Sequence, residues 1–111
     1  MKAVEKHLPL SEATCYIMLS MLEPIHGYAI MQQVEAVSRG TVRLGPGTLY
    51  GAFETLERGG MIRLVAERGR RKLYQLTDRG REVLQAQIQR TAILVEAGRS
   101  ALAEYDRGGI P

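Results

Sequence analysis

Residues 45–60, GPGTLYGAFETLERGG, carry the clearest helical pattern in the chain. Their apolar positions follow the i, i+3, i+4, i+7 spacing that places side chains on one side of an α-helix. Pro46 suits a first helical position, and the Gly59-Gly60 pair suits a left-handed end. The stretch therefore predicts an amphipathic helix whose buried side is formed by Leu49, Ala52, Phe53 and Leu56.

The opposite side of this helix is unusually bare. Gly47 and Gly51 point away from the buried side, together with Glu54 and Arg58. A glycine inside a helix costs about 1 kcal/mol relative to alanine, so two of them suggest that another molecule approaches the backbone. The alternative is that Gly47 belongs to the preceding loop and that Gly51 has no function.

Length and composition describe one ordinary domain. The chain has 111 residues, of which 45% are hydrophobic and 24% are charged. It contains no apolar run of roughly 18 residues, and its N-terminus alternates charged and apolar residues instead of forming a signal peptide. We therefore expect a cytoplasmic protein that does not associate with a membrane.

Positive charge is concentrated in one segment. Residues 61–81 hold seven basic and two acidic residues, whereas the rest of the chain holds eight basic and ten acidic residues. Such a distribution suits binding to an anionic polymer. A solvated basic hairpin without a partner is the alternative.

Residue types needed for catalysis or metal binding are sparse. Cys15 lies in an apolar run, where a buried structural thiol is expected. His7 and His26 are the only histidines and form no cluster with metal-ligand spacing. We therefore expect no metal, no cofactor and no enzymatic activity, because no nucleophile and base pair can be identified.

The first 40 residues predict an arm and two helices. Residues 1–9 are expected to form a flexible N-terminal arm, and Ser11 suits the cap of a helix that runs to about Leu22. That helix is apolar nearly all round, so it either contacts a second subunit or lies centrally in the domain. The second helix should begin near His26 or Gly27 and direct Tyr28 away from the core, where its ring is a DNA contact or is half buried over its neighbours.

A short β-like run and a hairpin flank the glycine-bearing helix. The run covers 41–44, and beyond Gly60 the apolar period changes from 3.6 to 2. Pairing Leu64 with Tyr74 and Ile62 with Leu76 keeps the apolar residues on one face. This register leaves a three-residue cationic tip at 68–70.

The C-terminal pattern predicts a long helix, capped by Thr77, with a heptad spacing. From Asp78 to Tyr105 it would be roughly 42 Å long at 1.5 Å per residue, which is longer than this domain can cover. We expect it to pack against a copy of itself, with residues 107–111 as a frayed tail. The predicted dimer interface is Tyr16, Leu84, Ile88, Thr91, Val95, Leu102 and Tyr105.

The order helix, helix, short strand, helix, hairpin, long helix is that of a winged helix-turn-helix protein. The predicted fold is mainly α with a small β-hairpin: a DNA-binding domain at 10–76 and a dimerisation helix at 77–106. The chain also resembles PadR-type transcriptional regulators, in the smaller subgroup with a single C-terminal helix. The matching motifs are HGY at 26–28, GTLY at 47–50, LE at 56–57, GGMI at 59–62 and GRRKLYQLTDRG at 69–80.

The resemblance implies a homodimeric repressor of a nearby promoter. Its pseudo-palindromic operator would have half-sites about 34 Å apart. It further implies possible release by a small hydrophobic or phenolic effector, whose identity is unknown. The family commonly has the motif GTLYPAL, whereas this chain has Gly51 in place of the proline and Phe53 in place of the leucine.

The alternative function is a winged-helix module that binds other proteins and has no operator. Carried over by position, the implied DNA-binding residues are Tyr28, Gly47, Thr48, Tyr50, Arg68, Arg70, Arg71 and Lys72.

Overall fold

The computed structural model describes residues 2–108. The fold is mainly helical with a small antiparallel sheet, and the predicted winged helix-turn-helix with a long C-terminal helix is confirmed. The helices are α1 (Lys2–Glu5), α2 (Glu12–Leu19), α3 (Gly27–Val37), α4 (Pro46–Arg58) and α5 (Asp78–Asp106). The strands are β1 (Ile25–His26), β2 (Ile62–Arg68) and β3 (Arg71–Leu76).

One core holds the helices to the sheet. The apolar side of α4 is buried as predicted, and α2 contributes Ile17 and Met18 to the same core. Leu19 is exposed, so part of the apolar surface of α2 faces out of the single subunit. However, α2 ends at Leu19 and not near Leu22, because its last turn is tight: the Met21 N–H donates to the Met18 carbonyl at 3.0 Å. The largest fully buried side chains among residues 4–108 are Ile17, Met18, Met21, Ile30, Val34, Leu49, Leu56 and Val83.

The sheet has the order β1-β3-β2, with β3 in the middle. The predicted pairs Leu64–Tyr74 and Ile62–Leu76 are confirmed. The predicted three-residue tip is wrong, because a bulge between Leu64 and Ala66 adds a residue to β2 and brings Arg68 opposite Arg71. The loop is therefore Gly69-Arg70, and Gly69 supplies the positive φ of 64° at its first position.

The third strand is not where the sequence pattern placed it. Residues 41–44 form no strand, because the buried Ser38 hydroxyl occupies both backbone groups of Val42, accepting from its N–H at 3.0 Å and donating to its carbonyl at 3.2 Å. The strand is instead β1, which pairs Ile25 with Tyr74.

Helix α4 stops where the glycine pair predicted. Gly59 is still right-handed and Gly60 has a φ of 72°, so the chain turns sharply into β2. Thr77 secures this corner, since its hydroxyl donates to the Gly60 carbonyl at 2.7 Å and accepts from the Gly80 N–H at 3.0 Å. The start of α5 is thereby tied to the end of α4.

The N-terminal segment is not the flexible arm that was expected. Helix α1 lies against α5, and Leu8 and Leu10 pack against the core. The Leu10 N–H also donates to the Gln87 side chain at 2.7 Å. These apolar contacts and this hydrogen bond hold residues 4–10 on the domain. At the other end, Arg107 and Gly108 form a turn that closes α5, and the rest of the expected tail, 109–111, lies outside the described residues.

Replacing Gly80 or Gly51 by alanine should change the free energy of unfolding in opposite directions. A Cβ at Gly80 would lie 2.1 Å from the Met61 carbonyl oxygen, whereas a Cβ at Gly51 would meet nothing within 4 Å. We expect Gly80→Ala to lower the free energy of unfolding by on the order of 3 kcal/mol, because α5 would have to move off the backbone of Met61. Gly51→Ala, the matched control, should raise it by up to about 1 kcal/mol. Urea denaturation followed by circular dichroism measures both, and an unchanged Gly80→Ala variant would contradict this packing.

Candidate nucleic-acid interface

A cleft of about 330 Å³ lies between α3, α4 and the hairpin of β2 and β3. Three separate elements contribute to it: the junction of β1 with α3, the aromatic side of α4, and the basic start of β3. Cations and phenol hydroxyls thus meet at one opening. Its lining is His26, Gly27, Tyr28, Tyr50, Phe53, Arg70, Arg71, Lys72 and Tyr74.

Aromatic contacts fix the hairpin relative to α4. Phe53 is buried and its ring centroid lies 4.8 Å from that of Tyr74 on β3. Tyr50 stands edge-on to Phe53, with centroids 5.8 Å apart and an interplanar angle of 85°. Because such pairs have preferred geometries, the row sets the distance between the exposed side of α4 and the cations of β3.

Close approach of α3 to α4 brings the two exposed tyrosines, Tyr28 and Tyr50, to the same cleft. A Cβ at Gly27 would lie 3.3 Å from both the Leu49 Cδ2 atom and the Tyr50 hydroxyl oxygen. The glycine therefore permits α3 to begin against α4. The His26 ring caps α3 by accepting from the Ala29 N–H at 3.4 Å. Tyr28 follows directly and is 63% exposed, so it points away from the core as predicted.

The cations of the hairpin are not neutralised by the protein. The ion pairs include Arg43–Glu35, Arg58–Glu54 and Arg107–Glu104, and none within residues 4–108 involves the hairpin. Glu67 is the cross-strand neighbour of Lys72, and no ion pair within 4.0 Å joins them. The positive potential at the cleft is therefore available to an external anion.

The exposed side of α4 presents backbone and few side chains. Gly47, Thr48 and Gly51 are exposed, and a Cβ at either glycine would meet nothing within 4 Å. The N-cap is Gly45, which provides no side-chain hydrogen bond to the first turn. Amide groups at this end can therefore donate to an anion. Further along, Glu54 is paired with Arg58 at 3.1 Å on the surface.

The structure brings together five of the eight residues that the resemblance implied. Tyr28, Tyr50, Arg70, Arg71 and Lys72 line the cleft, whereas Arg68, Gly47 and Thr48 lie outside its lining. The contributions of His26, Gly27, Phe53 and Tyr74 to the cleft were not predicted from the sequence. The HGY motif contained the signal for the first two residues, but their contact with α4 depends on tertiary packing.

The predicted dimer residues separate into three groups by their exposure in the single subunit. Leu84 is only 5% exposed and belongs to the core of its own subunit, because α5 begins by packing on the domain. It is therefore already covered and the prediction for it is corrected. Tyr16 is half buried beside a cavity of about 300 Å³ between α2 and α5. The remaining residues are exposed along α5: Ile88, Thr91, Val95, Leu102 and Tyr105.

Metal binding, a membrane span and a reactive thiol find little support in the part of the chain that the structure describes. Residues 2–108 contain no group of three or more histidine, cysteine or acidic residues that could hold a metal ion. No helix among them is long and apolar enough to cross a membrane. Burial raises the pKa of the Cys15 thiol, and the charge of Glu12 raises that pKa further, so the reactive thiolate is disfavoured.

Comparison with known proteins agrees with this geometry. Residues 16–86 match the model of the Transcriptional regulator PadR-like family, a range that contains the whole cleft. Over 71 residues, or 64% of this chain, the sequence is 45% identical to an uncharacterized 37.1 kDa protein in transposon TN4556 of Streptomyces fradiae. The chain spans only 20% to 34% of the length of the curated relatives it matches.

Solved structures share the fold. A transcriptional regulator from Clostridium thermocellum is similar with a TM-score of 0.69 and 21% identity, over 83% of this chain and 97% of that chain. A PadR family transcriptional regulator from Eggerthella lenta is similar with a TM-score of 0.68 and 22% identity, over 91% of this chain and 86% of that chain. At these identities the likeness establishes the fold alone.

The partly buried phenol of Tyr74 in the cleft predicts a dependence of stability on pH. Burial raises the pKa of Tyr74, and the carboxylate of Glu57 raises that pKa further. A phenol with a raised pKa stabilises the folded state below its ordinary pKa of about 10, and that stability is lost as the pH rises through the folded pKa. Above about pH 10 the wild type should therefore lose stability relative to Tyr74→Phe.

Urea unfolding at several pH values measures this difference. Tyr28→Phe is the control, because Tyr28 is 63% exposed, points away from the core and lies outside the proposed dimer interface. A difference between the wild type and Tyr74→Phe that stays constant up to about pH 11 would contradict the assignment.

Proposed function

Because the chain belongs to the PadR-like family of transcriptional regulators, we propose that it binds operator DNA as a homodimer and represses a nearby promoter. Membership of a family of regulators agrees with the expectation that the chain is not an enzyme. The observation that carries the proposal is the cleft, in which the tyrosines of α3 and α4 stand beside three hairpin cations without ion-pair partners among residues 4–108.

In the proposed complex, α4 enters the major groove with its first turn foremost. Exposed Gly47 and Thr48 bring the backbone and one hydroxyl towards the DNA, and Tyr50 lies beside them at the mouth of the cleft. The hairpin cations Arg70, Arg71 and Lys72 bind phosphates next to that groove, as does Arg68 on the outer part of the hairpin. Tyr28 supplies a hydroxyl contact to the same backbone.

The homodimer is proposed from the exposed part of α5. This helix has 29 residues, and its side chains beyond Gln87 are almost all exposed in the single subunit. Five of them repeat at heptad spacing on one side, and a groove of about 450 Å³ lined by Ile88, Val95 and Arg99 follows that side. Large apolar side chains left in water favour burial against a second copy.

Two subunits joined through α5 would present two copies of α4. Such a dimer suits a pseudo-palindromic operator with half-sites about 34 Å apart. Release by a small hydrophobic or phenolic effector remains part of the proposal through the family resemblance, and no effector identity is proposed.

The hairpin cations predict a decrease in affinity that does not depend on DNA sequence. Arg70→Ala with Arg71→Ala should weaken binding to operator and random duplexes by a similar factor of at least about 10, because phosphate contacts carry no base information. The slope of log affinity against log salt should fall by about 1 for each phosphate that the variant no longer neutralises. Fluorescence anisotropy across a salt series measures both quantities.

The matched control is Arg90→Ala with Arg107→Ala, which removes the same charge from α5 and the turn after it, away from the cleft. The proposal is wrong if the hairpin variant and this control have the same affinity. It is also wrong if the wild type shows no preference for the promoter next to its gene over random duplex while it still dimerises, which is the behaviour of a protein-binding module.

The dimer contact predicts a second, separable effect. Leu102 is 65% exposed and Ile93 is 69% exposed, and nine positions at about 100° per residue place them on opposite sides of α5. We expect Leu102→Glu to produce monomers and to lower operator affinity at least about 100-fold, because the two half-sites are no longer bound together. Ile93→Glu is the control and should leave both unchanged. Sedimentation equilibrium and anisotropy test the pair, and a dimeric Leu102→Glu variant would contradict the α5 interface.

A further inference from the structure

A second recess lies on the other side of α4 from the cleft. It is a groove of about 510 Å³ between the N-terminal segment, the start of α2 and α4, and we name it the N-terminal groove. Its polar lining, beside Gly51, is formed by Lys6, His7, Ser11, Thr14 and Thr55.

The two recesses flank the proposed DNA-facing side of α4. At about 100° per residue from Leu49, Tyr50 and Phe53 lie on one side of the helix, whereas Ala52 and Thr55 lie on the other. The first pair lines the cleft and the second pair lines the N-terminal groove. Gly51, close to the middle of the exposed side, borders the N-terminal groove. The helix therefore has a cationic recess beside each flank.

A helix in the major groove has a sugar-phosphate strand on each side, since that groove is about 12 Å wide. The hairpin occupies only one of those sides. We propose that the N-terminal groove binds a phosphate of the other strand, with Lys6 as the cation and the Thr14 hydroxyl as a donor. This inference rests on the proposed function and extends its DNA contact to residues outside α3, α4 and the hairpin.

The hydrogen bonds in the groove leave donors for a phosphate. The Ser11 hydroxyl donates to the Thr14 hydroxyl oxygen at 2.8 Å, so the hydrogen of Thr14 is directed to another acceptor. The Thr14 N–H donates to the Ser11 hydroxyl oxygen at 3.1 Å. The N–H groups that precede it in α2 have no partner within the helix, so they are available to an anion. Thr55 does not serve as a donor, because its hydroxyl donates to the Gly51 carbonyl at 3.3 Å.

Charge in the groove also favours an anion. Lys6 is exposed, and among residues 4–108 it forms no ion pair. Glu12, the acid nearest in sequence on α2, lines the separate cavity between α2 and α5, so its carboxylate is turned away. No acidic side chain is among the described residues that line the N-terminal groove.

The position of Lys6 is set by the packing of its own segment. Its neighbour His7 is turned inward: the His7 Nε2 atom is buried, and the Cε1 atom would lie 3.2 Å from a Cβ at Gly59. Leu10 is held by Gln87 of α5 at 2.7 Å. The backbone that follows Lys6 is thus attached to the end of α4 and to α5, which fixes where the ammonium group can reach.

The test compares Lys6→Gln with Arg90→Gln, which removes the same charge from an exposed position on α5. For the dimer of this chain on its operator, Lys6→Gln should lower affinity by about fivefold near physiological salt and reduce the log-log salt slope by about 2, one phosphate for each subunit. Arg90→Gln should change neither by a comparable amount. Ethylation interference should show one phosphate in each half-site, on the strand opposite to the hairpin contacts, that matters for wild type and not for Lys6→Gln.

The outcomes separate this inference from the function on which it rests. Equal affinities and salt slopes for Lys6→Gln and Arg90→Gln would contradict phosphate binding in the N-terminal groove. If the Arg70→Ala, Arg71→Ala variant still bound DNA more weakly than the wild type, the proposed DNA binding would stand. Interference confined to the hairpin side of each half-site would overturn the groove in the same way. A wild-type protein that bound no duplex would remove both proposals.

Discussion

Burial of one side of α4 is the constraint on which the rest of the structure depends. Leu49, Phe53 and Leu56 are nearly fully enclosed, and Phe53 carries the contact through to Tyr74 at a centroid distance of 4.8 Å. Burying such side chains is worth about 1.5–3 kcal/mol each, so α4 cannot rotate about its axis without a large decrease in stability. Its bare side is therefore turned outward, and the hairpin cations are held beside it.

The buried side of α4 and the hairpin register, which pairs Leu64 with Tyr74, could be predicted from the sequence, because both depend on apolar spacing over a few neighbouring residues. Strand β1 could not be predicted, since two residues show no period and their partner Tyr74 lies far along the chain. The N-terminal segment was misjudged for a related reason: its Leu8 and Leu10 are covered only by elements that follow much later.

In the candidate site, too, the features that depend on local sequence could be predicted and those that depend on tertiary contacts could not. The hairpin cations were visible as a local excess of charge, and Tyr28 was visible as an outward position on a helix. The cleft itself was not, because it requires Gly27 to come within contact distance of Tyr50 on another helix. The heptad spacing of α5 likewise could not separate Leu84, which the domain buries, from Leu102, which it leaves exposed. The sequence thus shows which residue types are available for a site, but it does not show which of them the fold brings together.

The glycines around α4 show which parts of this surface internal packing explains. Gly80 is required by it, because a Cβ there would collide with the Met61 backbone, and a Cβ at Gly27 would crowd the side chains of Leu49 and Tyr50. Gly47 and Gly51 are not required by it, since a Cβ at either would meet nothing within 4 Å. A glycine within a helix costs about 1 kcal/mol, so the folded subunit would be more stable with alanine at Gly51. Internal packing therefore does not explain the bare surface between the two recesses, whereas the proposed close approach of DNA would explain it.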